Sequence, residues 1–449
     1  MTIARRAIPQ RGHARRPTEI RLFDKFREMS DPLAQSHYAT WAVAAVSTAG
    51  VILRPWKVPE AVWAVGGALA LLALGLLPGS DVLRAVGTGT DVYLFLTGMM
   101  LLAELARREG LFEVAAGIAV RHARGSGSML FMLVYAIGVV VTVLMSNDAT
   151  AVVLTPAVYA VTRKAGAKPL PYLLACALVA NAASFVLPIS NPANLVVFGK
   201  QLPPLLTWFE RFALPSAASV VITFIVLRLT YRKAIGRPIH SEIEAVTLSV
   251  AGRGAAYGIA VTAGVLLLAS AFDVALGLPT ALAAAVAAGI VLIRKREAPG
   301  ELLKGISWGV LPLVAGLFVL VEGLARTGVL QTLAIELRSA AAAAPGPTPW
   351  VNGVLVAIGS NFVNNLPAGL IARSVVRDSG VGPSIQSAVA IGIDLGPNLS
   401  VTGSLATILW LTAIRREGED VTAWQFLRIG AVAMPLALLG ALATLWWQG

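Results

Sequence analysis

Two acidic residues stand in sequence that is otherwise apolar. Asp148 lies within residues 139–154, VVVTVLMSNDATAVVL, and Asp394 within Ile391-Gly392-Ile393-Asp394-Leu395-Gly396-Pro397. A carboxylate at membrane depth costs roughly 2.5–3.5 kcal/mol or more, so an acid retained there is a functional candidate. The chemistry it offers is to take up and release a proton. Each has a structural alternative: Asp148 capping the arm that follows it, and Asp394 satisfying N–H groups freed at the Gly396-Pro397 break. Around the two acids lies a neutral polar set: Asn147, Thr150, Ser190, Asn191, Asn194, Asn364, Asn365, Asn398, Thr402, Ser404 and Thr407. Singly, each is ordinary glue between helices. Together they fall at two polar turns and two helix breaks, where helix termini offer unpaired N–H and C=O groups able to hold a small polar solute. Glu104 and Glu322 lie near helix ends and fit a solvated or interfacial role.

These residues need elements to carry them. Hydrophobic residues make up 57% of the chain and charged residues 13%, against about a quarter charged in soluble domains. Apolar runs recur at 38–53, 58–77, 88–106, 170–198, 212–231, 254–272, 279–294, 306–325, 385–413 and 424–447. About 20 such residues span a bilayer, so the chain is expected to be an all-α polytopic membrane protein. Segments 128–164 and 349–377 each hold two apolar arms around a polar centre, Ser146-Asn147-Asp148 and Asn364-Asn365, and read as re-entrant hairpins. Runs 170–198 and 385–413 are too long for one span and are interrupted midway. They read as broken helices, whose irregular backbone survives at membrane depth only where protein or a wet cavity satisfies it.

The two halves repeat. Gly98, Glu104, Arg108 and Gly110 recur as Gly316, Glu322, Arg326 and Gly328 at an offset of 218. Asn147-Asp148 matches Asn364-Asn365 at 217, and Ser190, Asn191 and Asn194 match Gly403, Ser404 and Thr407 at 213. Each half carries five spans and one hairpin; five is odd, so the halves are expected to be inverted, with their broken helices meeting at the midplane. The expected division is a basic tail, 1–37, a first repeat, 38–231, a linker, 232–253, and a second repeat, 254–449. Basic residues set the orientation: 21 fall on the side of the linker and 7 on the opposite side, which puts the linker in the cytoplasm. The tail holds 8 more and would lie outside, against the rule; it either stands apart from the fold or is absent when translation begins at Met29.

The motifs now carry a resemblance. Residues 146–156, SNDATAVVLTP, resemble the hairpin signature of the ArsB arsenite permeases, and Asn364-Asn365-Leu366-Pro367 resembles their second hairpin. Residues 393–398, IDLGPN, followed by 403–411, GSLATILWL, are similar to that family's most distinctive stretch. The likeness runs from about residue 38 to the C-terminus; Val401-Thr402 departs from the Pro-Ile of many relatives. It implies the ion-transporter superfamily fold, a bacterial inner-membrane location, and export of arsenite or antimonite in exchange for protons. It allows for a separate arsenite-stimulated ATPase as an optional partner.

The residues agree with such a cargo. Arsenous acid is an uncharged trihydroxide at neutral pH, suited to amides, hydroxyls and backbone groups, with Asp148 and Asp394 as coupling sites. The single cysteine, Cys176, cannot form a disulfide or a three-thiolate trap. No pair of arginines is placed as a dicarboxylate site needs. No phosphate-binding loop of the G-x-x-x-x-G-K-[ST] type occurs, so no ATP hydrolysis and no cofactor is expected. The net charge of +12 sits at the ends of apolar runs, which argues against nucleic acid. A sodium/proton antiporter on the same fold is the alternative; a passive channel would be plugged by its hairpins. An enzyme would want a constellation that the scattered histidines, His13, His37, His122 and His240, do not supply.

Overall fold

The computed structural model describes residues 32–240 and 247–448. Most of the tail and the middle of the linker, 241–246, lie outside the described residues. Positions 32–37, assigned to the tail from sequence, are the first turns of a helix instead. Setting aside helical turns of five residues or fewer, the described residues form ten helices in each half. The first ten are α1 (Pro32–Leu53), α2 (Glu60–Ala73), α3 (Gly79–Thr88), α4 (Thr90–Arg108), α5 (Leu111–His122), α6 (Gly127–Leu144), α7 (Thr155–Lys164), α8 (Leu170–Ala182), α9 (Pro192–Phe198) and α10 (Leu205–Thr230). The second ten are α11 (Val250–Ala271), α12 (Gly277–Lys295), α13 (Gly300–Gly305), α14 (Val310–Arg326), α15 (Val329–Ala343), α16 (Thr348–Val363), α17 (Asn365–Ser379), α18 (Pro383–Leu395), α19 (Leu405–Arg416) and α20 (Ala423–Gln448). Each helix of the first half has its counterpart ten places on, so the repeat read from polar landmarks extends to the whole order of elements.

Two helices in each half were not anticipated as separate elements. Short α5 and α15 follow α4 and α14 through Gly110 and Gly328, repeat partners that both hold a left-handed backbone, with φ of 73° and 82°. Such a φ costs glycine nothing and lets the chain turn sharply; α14 and α15 meet at 74°. α3 and α13 were likewise absorbed into loops.

Packing is reciprocal between the halves. α2 lies beside α14, with Ala64, Gly67 and Leu71 against Gly316, Leu320 and Gly323 in parallel register. The matching pair is α4 with α12: the Gly277 N–H donates to Asp91 Oδ1 at 2.7 Å, Gly98 rests on the Thr280 backbone, and Lys295 pairs with Glu109 at 2.9 Å. A side chain at Gly98 or Gly316 would strike the partner's backbone, so these glycines set how closely the helices approach. α10 and α20 are repeat counterparts that run antiparallel, since Gly440 meets Ile222 and Gln448 Nε2 donates to the Glu210 carbonyl at 2.8 Å.

Five helices, α6, α10, α11, α12 and α20, are long and apolar enough to cross a bilayer singly. α11 and α12 expose Tyr257, Val261, Leu268, Leu282, Val286 and Ile293, a surface suited to lipid rather than water. α8 and α18, at 13 residues each, are about 20 Å long, too short to cross a hydrocarbon layer of about 30 Å alone. Both are buried along almost their whole length, as core elements must be.

Candidate functional site

The first polar turn joins α6 to α7. Ser146 Oγ accepts from the Ala149 N–H at 3.3 Å, and Asn147 Oδ1 accepts from the Asp148 N–H at 2.9 Å, so two side chains cap the new helical start. The chain then passes through a π-helical turn, Thr150–Leu154, closed by Thr155 Oγ1 donating to the Thr150 carbonyl at 3.1 Å. Thr150 Oγ1 is bonded to Thr142 Oγ1 at 2.8 Å, tying the two arms together. π-turns are uncommon and favour functional positions; this one begins two residues after Asp148. The second turn, between α16 and α17, is built differently. Asn364 takes φ 72°, and its Oδ1 accepts from the Leu366 N–H at 3.4 Å.

At the first break, between α8 and α9, Asn191 Oδ1 caps α9 by accepting from the Ala193 N–H at 2.9 Å. Asn194 Nδ2 donates to the Ser184 carbonyl at 2.9 Å, and Ser190 Oγ donates to the Val143 carbonyl at 3.2 Å. At the second break, between α18 and α19, Ser404 caps α19, accepting from the Thr407 N–H at 3.1 Å. Asn398 Nδ2 donates to the Leu178 carbonyl at 3.0 Å, which knits the second break to α8 of the first half.

Both turns and both breaks meet at one cavity. Its walls include Asn147, Asp148, Asn191, Asn365 and Ser404, with Leu96, Pro192, Val310, Leu366, Leu405 and Ala406 completing them, and its volume is about 20 Å³. That is room for about one water. No lysine or arginine lines it among the described residues. A vestibule of about 580 Å³ adjoins it, sharing Asp148, Pro192, Val310 and Leu405, and reaches Glu104, Arg107, Glu113, Arg416 and Glu417 at the far end. There Arg107 grips Glu104 with two hydrogen bonds, of 2.7 and 2.5 Å, consistent with an interfacial role for that acid.

The two acids differ sharply. Asp148 is half-buried, faces both spaces, and its carboxylate has no hydrogen-bond or ionic partner among the described residues. Asp394 is fully buried, accepts from Asn191 Nδ2 at 2.7 Å through Oδ1, and leaves Oδ2 without a donor. Asp394 therefore meets the cavity through Asn191. Thr150, Ser190, Asn194, Asn364, Asn398, Thr402 and Thr407 do not line the cavity; they brace the turns and breaks that do. Thr402 Oγ1 donates to the Asn361 carbonyl at 3.2 Å, which ties the second break to α16.

Three residues of this network were missed from sequence: Asn181, Ser184 and Asn361. Asn181 Nδ2 donates to Asn398 Oδ1 at 3.0 Å and to Thr407 Oγ1 at 3.4 Å. Ser184 Oγ accepts from Asn191, and Asn361 Nδ2 donates to the Gly396 carbonyl at 3.0 Å. The signal for Asn181 was available, because it is the partner of Asp394 at the 213 offset.

Paired broken helices around a polar cavity, within an all-helical frame with apolar outer faces, define a polytopic membrane transporter. Solved transporters share the frame. The YdaH transporter of Alcanivorax borkumensis matches with a TM-score of 0.56 at 17% identity, covering 82% of this chain and 86% of that one. MtrF of Neisseria gonorrhoeae, described as one of a class of antimetabolite efflux pumps, matches with a TM-score of 0.51 at 12% identity, covering 85% and 84%. At that identity the likeness concerns the fold alone. The chain belongs to the family described as citrate transporter, CitMHS, which matches residues 48–392. Among its relatives, an uncharacterised transporter of Mycobacterium tuberculosis is 28% identical over 423 residues, covering 90% of this chain and 97% of the relative. The arsenical pump membrane protein of Escherichia coli K12 is 28% identical over 402 residues, covering 85% and 91%. The protein is thus a membrane transporter and not an enzyme.

Proposed function

We propose that this transporter exports arsenite and antimonite from the cytoplasm of a bacterium in exchange for protons, by alternating access. The observation that carries the reading is the lining of the cavity: three amides, one hydroxyl and one carboxylate, without a cation. Citrate, the substrate in the family's descriptive name, carries three carboxylates and calls for arginine or lysine. An uncharged trihydroxide needs donors and acceptors of the kind present here. The resemblance to the arsenical pumps supports the same cargo.

Asp148 and Asp394 are the coupling sites in this reading. Export of a neutral solute against its gradient requires an ion to move the other way, and these are the carboxylates of the central polar network. The antiparallel contact of α10 with α20 supports reading the halves as inverted repeats, with α6–α7 and α16–α17 as re-entrant hairpins. The vestibule ends among residues of the strongly basic side, which supports reading this conformation as open to the cytoplasm.

Everted membrane vesicles provide the test. An imposed proton gradient should drive arsenite uptake, and a sodium gradient should not. Uptake driven by sodium alone, or displaced by citrate, would overturn the reading. Orientation is checked separately with a cysteine placed in the linker of a Cys176→Ser protein. It should react with an impermeant thiol reagent in everted vesicles and resist it in intact cells; labelling in intact cells reverses the map.

A further inference from the structure

Each break residue that lines the cavity is tied across to the opposite half. Asn191 of the first half donates to Asp394 of the second at 2.7 Å. Its repeat partner Ser404 is bonded at 2.8 Å to Thr407, whose Oγ1 accepts from Asn181 of the first half at 3.4 Å. Asn181 and Asp394 are themselves repeat partners at the same offset of 213. The same tie is thus built twice, ending once on a carboxylate and once on an amide. The second needs an extra link because serine is shorter than asparagine, and Thr407 supplies it. Asn181 is fully buried and held against α18–α19 by Asn398, whose Nδ2 bonds in turn to the Leu178 carbonyl on Asn181's own helix.

We propose that Asn181 is a positioning residue of the transport site, fixing which way the Ser404 hydroxyl points its proton. The inference rests on the arsenite reading above. Between two hydroxyls at 2.8 Å either one can donate. The amide Nδ2 of Asn181 only donates, so it occupies one lone pair of Thr407 Oγ1 and polarises that hydroxyl toward giving its own proton to Ser404 Oγ. Ser404 Oγ already accepts from the Thr407 N–H at 3.1 Å. With both lone pairs taken, its proton is left free for the cavity. Ser404 is thereby set as a donor to an oxygen of the cargo. Without Asn181 that bias is lost, and the arrangement in which Ser404 gives its proton to Thr407 offers the cargo none. The unpartnered Oδ1 of Asn181 agrees with a residue placed for its donor end.

The test is a double-mutant cycle read in everted vesicles. Asn181→Leu keeps the volume and removes the amide; Thr407→Val removes the link it acts through. The Leu variant should raise KM for arsenite about tenfold, the scale of one lost buried hydrogen bond, with Vmax within about twofold of wild type. In the Thr407→Val background Asn181→Leu should add little further, because the two side chains belong to one chain of bonds. If the Leu variant fails to insert, Asn181→Ser, smaller and still polar, should show the same KM effect at partial size. A KM unchanged in a variant of normal abundance, or effects that simply multiply, would overturn the inference while leaving the substrate reading intact. Wild-type vesicles that take up no arsenite would overturn both.

Discussion

Asp148 and Asp394 each face an amide across the repeat: the partner of Asp148 is Asn365, and the partner of Asp394 is Asn181. The frame of the two halves is nearly the same, helix for helix, yet protonatable groups occupy different elements in each. The first half carries its acid on the polar turn, beside the vestibule and with no partner for its carboxylate among the described residues. The second half carries its acid inside the broken helix, sealed and bonded to Asn191. In the alternating access proposed above, a symmetric frame would let the two half-sites exchange roles between inward- and outward-facing shapes. In the proposed exchange the asymmetric acids would give a direction in proton chemistry: Asp148 borders the vestibule, and Asp394 meets the cavity through Asn191.

The comparison predicts a graded response. Asp148→Asn, which makes the two turns chemically alike, should lower proton-driven arsenite uptake by about 100-fold or more at unchanged abundance, the scale of losing a proton-transfer group. Wild-type uptake by that variant would mean that Asp148 carries no coupling proton. Asp394→Asn keeps an acceptor for Asn191 and should cost about tenfold in proton-driven uptake. Arsenite exchange without a proton gradient should stay within about twofold, since the geometry of Asn191 is preserved. Equal losses in both assays would reduce Asp394 to a structural brace. Asn365→Ala removes one neutral wall of the cavity and should raise KM about fivefold, with the pH profile of uptake unaltered. A changed profile would show that the second turn shares in proton handling. Cys176→Ser should leave resistance to arsenite within about twofold, because the thiol lies buried in α8 away from the cavity lining.

Much of this contrast was legible in the sequence because polar residues in apolar runs are conspicuous. The turns at Ser146-Asn147-Asp148 and Asn364-Asn365 and the breaks at Pro188 and Pro397 stand where expected, and five residues of the anticipated set line one cavity. The separate helices α5 and α15 were hidden because charged residues within them, such as Arg121 and Arg338, resemble loop composition. The π-turn at Thr150–Leu154 has no compositional mark, since one additional residue per turn changes spacing and not residue type. Asn361 was passed over inside an apolar arm, although it braces the Gly396 carbonyl and the Ser400 hydroxyl. Which polar residues reach the cavity and which only brace it depends on side-chain direction around irregular backbone, and sequence spacing does not specify that.

The wide vestibule that closes down to space for about one water also has an electrical meaning. A cell membrane stores its energy as a voltage, at about 2.3 kcal/mol per elementary charge for each 100 mV. A carrier that left a continuous wet path would discharge it. Here the vestibule narrows at Asp148 to the small cavity, beside which stand Asn147, Asn365 and the two helix breaks, with Asn191, Asn398 and Ser404 buried. The site is narrow enough to insulate, so the cargo must part the turns to enter. The same tight packing would keep the membrane charged between turnovers.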